Sequence, residues 1–264
     1  MRYYLNLIRQ FIQASFQQEL AYRSNFLIGL LHSLLSLGTG VLSLAVLFEQ
    51  VESIQGWEFA ATLAVLGVFM TVGALQNLFI SPSLESLAGI GGDVLSGQLD
   101  FTLLRPVNKQ FLVSFRRWQP FALIDLALGL GVLVVAITRM GSSVTSTGLI
   151  TFVVLLASGM VVLYAILLAF TAMVFWSPGF LFTWVFSGVF QMARYPLGLY
   201  PGWLRLVLTW IIPVGLITTV PVQALTGDLE PAMLGGSLAL AAGLLIAASW
   251  LFRVGLQRYA SASS

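Results

Sequence analysis

Long stretches without a charged side chain dominate this sequence, and short polar segments separate them. The uncharged stretches are residues 24–48, 59–81, 140–193, 206–227 and 231–252. A helix needs about 20 mainly apolar residues to cross a bilayer. Because the stretches are continuously apolar and do not alternate with polar residues, they favour helices over the strands of a membrane barrel. The pattern predicts an all-α integral membrane protein, a single transmembrane domain over residues 1–264.

The polar segments divide the chain into six predicted spans. These are residues 24–48, about 59–80, about 118–138, about 147–174, a fifth that starts near Phe180 after a tight turn at 176–179, and 231–252. Residues 194–231 hold five of the chain's nine prolines. Non-helical backbone at membrane depth is tolerated only where protein or a water-filled cavity covers it. We therefore predict that 194–231 is a re-entrant outer hairpin between spans five and six.

A rival arrangement also has six spans. It makes residues 206–225 the fifth crossing and places Arg194 and Arg205 on the inner side. The rival agrees better with the rule that cytoplasmic loops are rich in Lys and Arg. The basic residues alone therefore favour the rival, and the residues themselves leave both arrangements open.

Charge also predicts the orientation. Arg2, Arg9 and Arg23 precede the first span, whereas the next loop, EQVESIQGWE, has three acids and no base. Both termini and the long loop 81–117 are therefore expected in the cytoplasm. Residues 83–117 and 258–264 should face inside, and 141–146 and 227–230 outside. Residues 1–23 lack the apolar core of a signal peptide, and apolar residues recur in them at helical spacing. They predict a retained interfacial helix.

Composition narrows the class further. Of the residues, 58% are hydrophobic and 8% are charged, and the mean hydropathy is +0.95. Twelve basic residues spread over 264 positions make no patch for nucleic acid. With no cysteine there is neither a disulfide framework nor a thiolate metal site. The single lysine, Lys109, does not stand in a phosphate-binding Gly-Lys-Ser/Thr motif, so the chain does not hydrolyse ATP alone.

Two polar residues within predicted spans are candidates for an intramembrane polar site. His32 is the only histidine, and an interhelical hydrogen bond is expected for it ahead of a metal-binding or proton-carrying role. A carboxylate within a span marks a pathway or a buried pair by default. Asp125 lies two turns beyond Arg116 and Arg117, however, so hydration or pairing at the interface is the competing expectation.

Small residues repeat every four positions along the last predicted span. They are Gly235, Ala239, Gly243 and Ala247. Such spacing lets another helix approach closely. It predicts helix packing, either within this chain or with a second subunit.

The segment YPLGLYPGWLRLVLTWIIPVGLITTVPVQALTG, residues 195–227, resembles the outer re-entrant segment of ABC-2 type exporter permeases. The family pattern there is aromatic-Pro-Leu, Pro-x-Trp-Leu, an apolar stretch with a proline, and a small-residue end. GQLDFTLLRPV, residues 97–107, is similar to the family's Gly-x-Leu-Asp/Glu-x-x-Leu-x-x-Pro-Val pattern after the second span. Residues 22–25, YRSN, and the tail GLQRYASASS extend the likeness over nearly the whole chain. It is nearest to a little-characterised branch encoded as paired permeases.

The resemblance implies a permease subunit of an ATP-driven exporter in a bacterial plasma membrane. Two permeases, identical or paired, would sit on a dimer of cytosolic ABC ATPases, which would bind the ATP and Mg²⁺. An apolar pathway with Trp and Phe suits a lipid-linked or amphiphilic substrate. The chain departs from the family where an Asn often precedes the mid-segment proline and an Arg stands near the end. It has Ile212 and Gln223 there, which leaves the substrate open.

The loop 81–117 is expected to couple the permease to the ATPase. Its glycines and Pro106 predict short helical pieces around 93–95 and 99–104, and mixed acids, bases and leucines suit a docking surface. The candidate coupling residues are Asp93, Gly97, Leu99, Asp100, Leu103, Leu104, Arg105, Pro106 and Lys109. The competing interpretation is that Arg105, Lys109, Arg116 and Arg117 only anchor the loop to anionic lipid.

Two other functions stay open from the sequence. An ATPase-independent secondary transporter or channel is the first, although inverted repeats and charged residues within the spans, which would favour it, are nearly lacking. A structural scaffold for other membrane proteins is the second. Co-purification of an ATP-binding subunit separates the exporter from both.

Overall fold

The computed structural model describes residues 2–20, 23–88, 91–141, 144–177 and 182–259. Its helices are α1 (Arg2–Leu20), α2 (Arg23–Leu47), α3 (Phe59–Leu75), α4 (Ser81–Ala88), α5 (Gln98–Leu103), α6 (Lys109–Phe115), α7 (Ala122–Met140), α8 (Ser146–Ala172), α9 (Phe182–Phe190), α10 (Gly202–Leu206), α11 (Val214–Thr226) and α12 (Pro231–Arg258). Two short strands, β1 (Ser53–Ile54) and β2 (Trp57–Glu58), pair antiparallel. The predicted features at Tyr22, at 178–179, at Phe180 and at 260–264 lie outside the described residues.

The predicted all-α membrane fold is confirmed. Within the described ranges, five helices are long and apolar enough to cross a membrane, or six if one bent pair counts as a single span. The five are Phe26–Leu47, Phe59–Ala88, Ala122–Met140, Ser146–Phe175 and Pro231–Arg258. The bent pair is Gly202–Ile211 with Val214–Thr226, whose axes meet at 99°.

The bundle has two distinguishable ends. At the end that we call the hairpin end, the guanidinium of Arg139, near the close of α7, lies 5.7 Å from the centre of the Phe59 ring at the start of α3. At the opposite end, which we call the loop end, Ser83 Oγ of α4 donates a 2.7 Å hydrogen bond to the carbonyl of Arg117 just before α7. Helices α1, α4, α5 and α6 therefore lie at the loop end.

The core forms where backbones approach closely through glycine. Gly67 of α3 is so near α7 that a Cβ there would stand 2.8 Å from the backbone nitrogen of Leu133. A Cβ built on Gly159 of α8 would likewise stand 2.9 Å from the Cα of Ile217 in α11. Small residues allow such contacts between membrane helices, where van der Waals packing and not hydrophobic exclusion holds helices together. As a result α3 and α11 are the most deeply buried helices.

The proline-rich segment enters and leaves the bundle at the same end. Gly198 lies against the ring of Trp57 at the hairpin end, where an added Cβ would stand 2.7 Å from Trp57 Nε1. Ala224, near the end of α11, lies against Gly148 at the start of α8, also at the hairpin end. The axes of Gly202–Ile211 and Val214–Thr226 meet at 99°, so residues 206–225 are not one straight helix, and the re-entrant hairpin stays a prediction.

The predicted fifth span, which starts near Phe180, is only partly within the described residues. The described part is α9 and a 3₁₀ turn, Gln191–Arg194. The backbone then turns at Pro196, and the N–H of Leu197 donates a 3.2 Å bond to Thr219 Oγ1 of α11.

Two predicted boundaries differ from the structure. The helix of the second span continues through a π-helical turn, Gln76–Ile80, into α4 and ends at Ala88, not near residue 80. The third span begins at Ala122, not at 118, because the preceding backbone bonds elsewhere. The N–H of Trp118 donates to Ser15 Oγ (3.1 Å) and that of Gln119 to the carbonyl of Leu78 (2.8 Å).

Candidate functional site

Residues 91–117 fold into a compact unit at the loop end, which we call the platform. Its centre is an ion pair between Arg116 and Asp93, whose side chains are 22% and 10% exposed. The same guanidinium donates to Ser86 Oγ (3.1 Å) and to Thr102 Oγ1 (3.2 Å). One arginine therefore ties α4, the turn at Asp93 and α5 together, which fixes the shape of the platform.

Two local features set the course of the platform backbone. Gly97 has φ 74° before α5, a left-handed conformation that favours glycine. The ammonium group of Lys109 donates to the carbonyls of Leu103 and Arg105 at the end of α5. A basic group at a helix C-terminus satisfies carbonyls that have no partner within the helix. Lys109 thus caps α5 and joins it to α6.

Helix α6 links the platform to two membrane spans. Gln110 Nε2 donates to Tyr164 Oη of α8 (3.2 Å) and to Ser249 Oγ of α12 (3.0 Å). Ser114 Oγ lies 2.7 Å from the same Tyr164 Oη. Movement of the platform would therefore act directly on α8 and α12.

The structure separates the nine predicted coupling residues into three groups. Leu99 is fully buried and Asp93 nearly so, and these two, with Gly97 and Lys109, shape the platform. Leu104 is 81% exposed, and Arg105 and Pro106 beside it are also exposed. Leu103 and Asp100 are half-buried. The sequence analysis missed Phe101, which is 69% exposed. The spacing in the sequence could have indicated it, because Phe101 and Leu104 are three residues apart and lie on one helical face.

Two open cavities lie side by side in the bundle. The loop-end cavity, about 740 Å³, is enclosed by α1, α2, α4 and the start of α7. The midplane cavity, about 240 Å³, is enclosed by α2, α3, α9 and the π-helical turn. Ser33, Asn77 and Asp125 line both. The two cavities therefore adjoin, and these three polar residues lie where they meet.

Arg194 borders the midplane cavity at a point about halfway along the first span. Its Nη2 donates to Ser36 Oγ (3.2 Å) and to the carbonyl of Ser36 (3.4 Å). The guanidinium lies 5.7 Å from the centre of the Phe69 ring. Ser36 and Phe69 both line the cavity. The Nε of Arg194 is buried and has no hydrogen-bond partner within the described chain.

The depth follows from two independent helices. Ser36 lies ten residues after Phe26 and eleven before Leu47, the ends of the first span. At about 1.5 Å per residue it is roughly 15 Å from either end, which is half of a hydrocarbon core of about 30 Å. Phe69 likewise lies ten residues after Phe59. An arginine at that depth costs about 2.5 to 3.5 kcal/mol on insertion scales and marks a functional site by default.

Arg194 directly follows the uncharged stretch 140–193, and its position within a span was not predicted. The signal was the length of the preceding segment. Residues 180–194 number fifteen, fewer than the roughly 20 that a straight crossing needs. Counting from the turn at 176–179 therefore puts Arg194 inside the membrane.

The two predicted intramembrane polar residues meet in one cavity. His32 and Asp125 both line the midplane cavity. Asp125 lies in the first turn of α7, where the positive end of the helix dipole favours a carboxylate. Neither side chain has a hydrogen bond or ion pair in the described structure. Arg116 pairs with Asp93 instead of Asp125. The interhelical hydrogen bond of His32 stays a prediction for a contact with another chain.

Helix α1 docks on the mouth of the loop-end cavity. The N–H of Phe121 donates a 2.9 Å bond to Glu19 Oε2. Burial raises the pKa of the Glu19 carboxyl, and the bond from Phe121 opposes that shift. Glu19 thus joins the interfacial helix to the start of α7.

The small residues of α12 face away from the bundle. Gly235, Ala239, Gly243 and Ala247 are all exposed, and a Cβ on Gly235 or Gly243 would meet nothing within 4 Å. Helix α12 packs on α8 with another face, which includes Ser237, Ala241 and Phe252. These four residues therefore meet no partner within the described chain, and their role in helix packing stays a prediction.

The described residues contain no group of three or more His, Asp or Glu side chains placed to hold a metal ion. A family model described as "ABC-2 family transporter protein" matches residues 34–263. That match begins within the first span and covers the other described spans and the platform, whereas α1 and the start of α2 lie before it. No curated protein and no solved structure matches the chain significantly.

Proposed function

The chain belongs to the ABC-2 family of transporters, and on that premise we propose that it is the permease subunit of an ATP-driven exporter. It moves an amphiphilic substrate out of the cytoplasm, and a separate cytosolic ABC ATPase binds and hydrolyses the ATP with Mg²⁺. Because the sequence has no phosphate-binding motif of its own, the energy reaches the spans through a contact between the two chains.

The platform carries this proposal. It is held rigid by the Arg116–Asp93 pair, it is bonded to α8 and α12, and it presents Phe101 and Leu104 outward. Large exposed apolar side chains at a polar end of a protein mark an interaction site. Arg105, next to Leu104, is also exposed. Its positive charge lets such a surface select a partner of complementary charge. We assign this surface to the ATPase.

The charges support a cytoplasmic loop end. Arg105, Lys109, Arg116 and Arg117 lie in the platform, and Arg253 and Arg258 lie near the end of α12, which reaches the same end. The hairpin-end loop after α2 has Glu49, Glu52 and Glu58 without a base. Cytoplasmic loops carry the excess of Lys and Arg. Both termini are then cytoplasmic, in the plasma membrane of a bacterium.

A second permease copy, identical or a paired homologue, completes the proposed assembly. The exposed small-residue face of α12 gives a second membrane helix a place to approach closely. The chain in its bilayer would then form one half of the translocation pathway, above one subunit of an ATPase dimer.

Co-purification tests the proposal. The tagged full chain is extracted from its host membrane, and the retained ABC ATPase is identified by mass spectrometry and by ATP hydrolysis. The double variant Phe101→Ser/Leu104→Ser should retain at least about tenfold less ATPase, because each lost apolar contact is worth about 1.5 to 3 kcal/mol when buried. The matched control Val51→Ser removes an exposed apolar side chain at the hairpin end and should retain the wild-type amount. Equal retention by the double variant would show that the platform is only a lipid anchor.

A further inference from the structure

Two opposite charges lie at the midplane cavity, one in its lining and one against two of its lining residues. Asp125 lines it in the first turn of α7, at the loop end. Arg194 borders it at mid-depth through Ser36 and Phe69. The Arg116–Asp93 pair is the one ion pair within the described residues, so Asp125 and Arg194 do not neutralise each other by contact. Charges are costly at this depth unless a partner of opposite sign is present.

We propose that the midplane cavity binds the zwitterionic head group of an amphiphile, with its cationic amine facing Asp125 and its anionic phosphate or carboxylate facing Arg194. This inference rests on the proposed function, because it names the class of substrate that the exporter carries. The head group enters from the loop-end cavity, since Ser33, Asn77 and Asp125 line both cavities.

The charged residues at the two cavities favour a head group that carries both a positive and a negative charge. The loop-end cavity has Glu19, Glu85 and Asp125 against Arg117, so its net acidic lining repels a head group that is only anionic. Arg194 repels a head group that is only cationic. A head group with both charges is attracted by Asp125 and by Arg194. Other hydrogen-bonding groups of the lining, among them His32, Gln76 and Gln191, hydrate or bind its polar atoms.

The guanidinium has the donors for an anionic group. Arginine presents a planar fork of N–H donors that matches a phosphate or carboxylate. In this structure the contacts of Arg194 to Ser36 are long, at 3.2 and 3.4 Å, and its Nε is unpaired. A volume of about 240 Å³ accommodates a small head group, because a water molecule takes only about 30 Å³ of liquid. The acyl chains would lie in the bilayer beside α2, whose outward face carries Leu31, Leu34 and Leu35.

The test measures lipid retained by the full chain. The protein, with any ATPase that co-purifies, is equilibrated in nanodiscs of equal parts phosphatidylethanolamine and phosphatidylglycerol, extracted, and its bound lipids counted by native mass spectrometry. Wild type should retain more of the zwitterionic phosphatidylethanolamine. Arg194→Gln should retain about tenfold less of both lipids, since a hydrogen bond to a charged group is lost. Asp125→Asn should shift the ratio towards anionic phosphatidylglycerol.

Two further variants keep the test decisive. Arg194→Lys preserves the charge and should retain phosphatidylethanolamine, which separates a binding role from a folding role. Arg139→Gln is the matched control, because Arg139 lies 5.7 Å from the Phe59 ring centre, as Arg194 does from that of Phe69, but at the hairpin end. It should leave the lipid ratio unchanged. Displacement by soluble phosphoethanolamine would assign the recognition to the head group alone, and no displacement would assign it to the anchored lipid.

The inference would be overturned if Arg194→Gln and Asp125→Asn both retained as much lipid as wild type, in the same ratio of phosphatidylethanolamine to phosphatidylglycerol. The cavity would then be only a hydrated space. That result would not touch the proposed function, which depends on the amount of ATPase in the same preparations. Conversely, if wild type retained no ATPase but kept its preference for phosphatidylethanolamine, the proposed exporter function would be wrong and the head-group site would still stand.

Discussion

Gly129 of α7 and Thr71 of α3 meet backbone to backbone, and a Cβ built on Gly129 would stand 2.7 Å from the Thr71 nitrogen. No flexible side chain is available there to move aside. The contact is repeated about one turn away by Gly67 and Leu133. These paired approaches make α3 and α7 one rigid unit, and the midplane cavity is built on it.

Substitution of Gly129 by Ala should therefore separate α3 from α7 and lower stability. We expect a loss of about 1 to 3 kcal/mol, the usual effect of overpacking a well-packed core. Gly131→Ala is the control in the same helix, because its Cβ would meet nothing within 4 Å. It should be neutral or stabilising. Thermal unfolding of the purified chain in detergent measures both, and equal midpoints for the two variants would contradict the close approach.

The ion pair of the platform gives a second prediction. Arg116→Ala removes one partner of a pair that is largely buried and also loses the bonds to Ser86 and Thr102. We expect a local loss of about 2 to 3 kcal/mol, below the 3 to 5 kcal/mol of a fully buried pair, because Arg116 keeps some exposure. Hydrogen exchange of residues 93–105 should rise accordingly.

The control for that variant is Arg105→Ala, whose side chain is exposed and whose loss should leave exchange unchanged. In addition, the double variant Asp93→Ala/Arg116→Ala should lose less than the sum of the two single variants, because neither charge is then left unpaired. Additive losses would mean that the two side chains do not form the pair in solution.

The sequence predicted the spans better than the sites, for a physical reason. A span is set by a run of apolar residues, which is a local property, so the bundle and the platform region were foreseen. Which leucine of the platform is buried depends on contacts with distant residues. Leu103 and Leu104 are neighbours of one type, yet one is half-buried and the other 81% exposed. The position of Arg194 relative to the membrane could not be predicted either, because it depends on where the fifth crossing begins and how many residues it has.

Single cysteines can test the orientation and the re-entrant hairpin together in this cysteine-free chain. Pro201→Cys and Glu230→Cys, both exposed at the hairpin end, should be labelled by an impermeant reagent applied outside intact cells. Leu104→Cys should be labelled only after permeabilisation. Protection of position 201 until permeabilisation would favour a straight crossing by residues 206–225, and labelling of position 104 from outside would invert the bundle.

The last prediction concerns the link between the platform and the spans. The hydroxyl of Tyr164 is the shared partner of Gln110 and Ser114, so Tyr164→Phe removes two hydrogen bonds between α6 and α8 without removing the ring. Each is worth about 0.5 to 1.5 kcal/mol net, too little to unfold the chain. The ATPase should therefore stay bound, since Phe101 and Leu104 are untouched, but transport per ATP hydrolysed should fall severalfold in proteoliposomes. Ser158→Ala is the control, because it removes a 3.2 Å bond from α8 to the carbonyl of Ser237 in α12 and leaves the platform attached. If Tyr164→Phe transports as wild type does while Ser158→Ala does not, the force reaches the spans through the α8–α12 contact and not through α6.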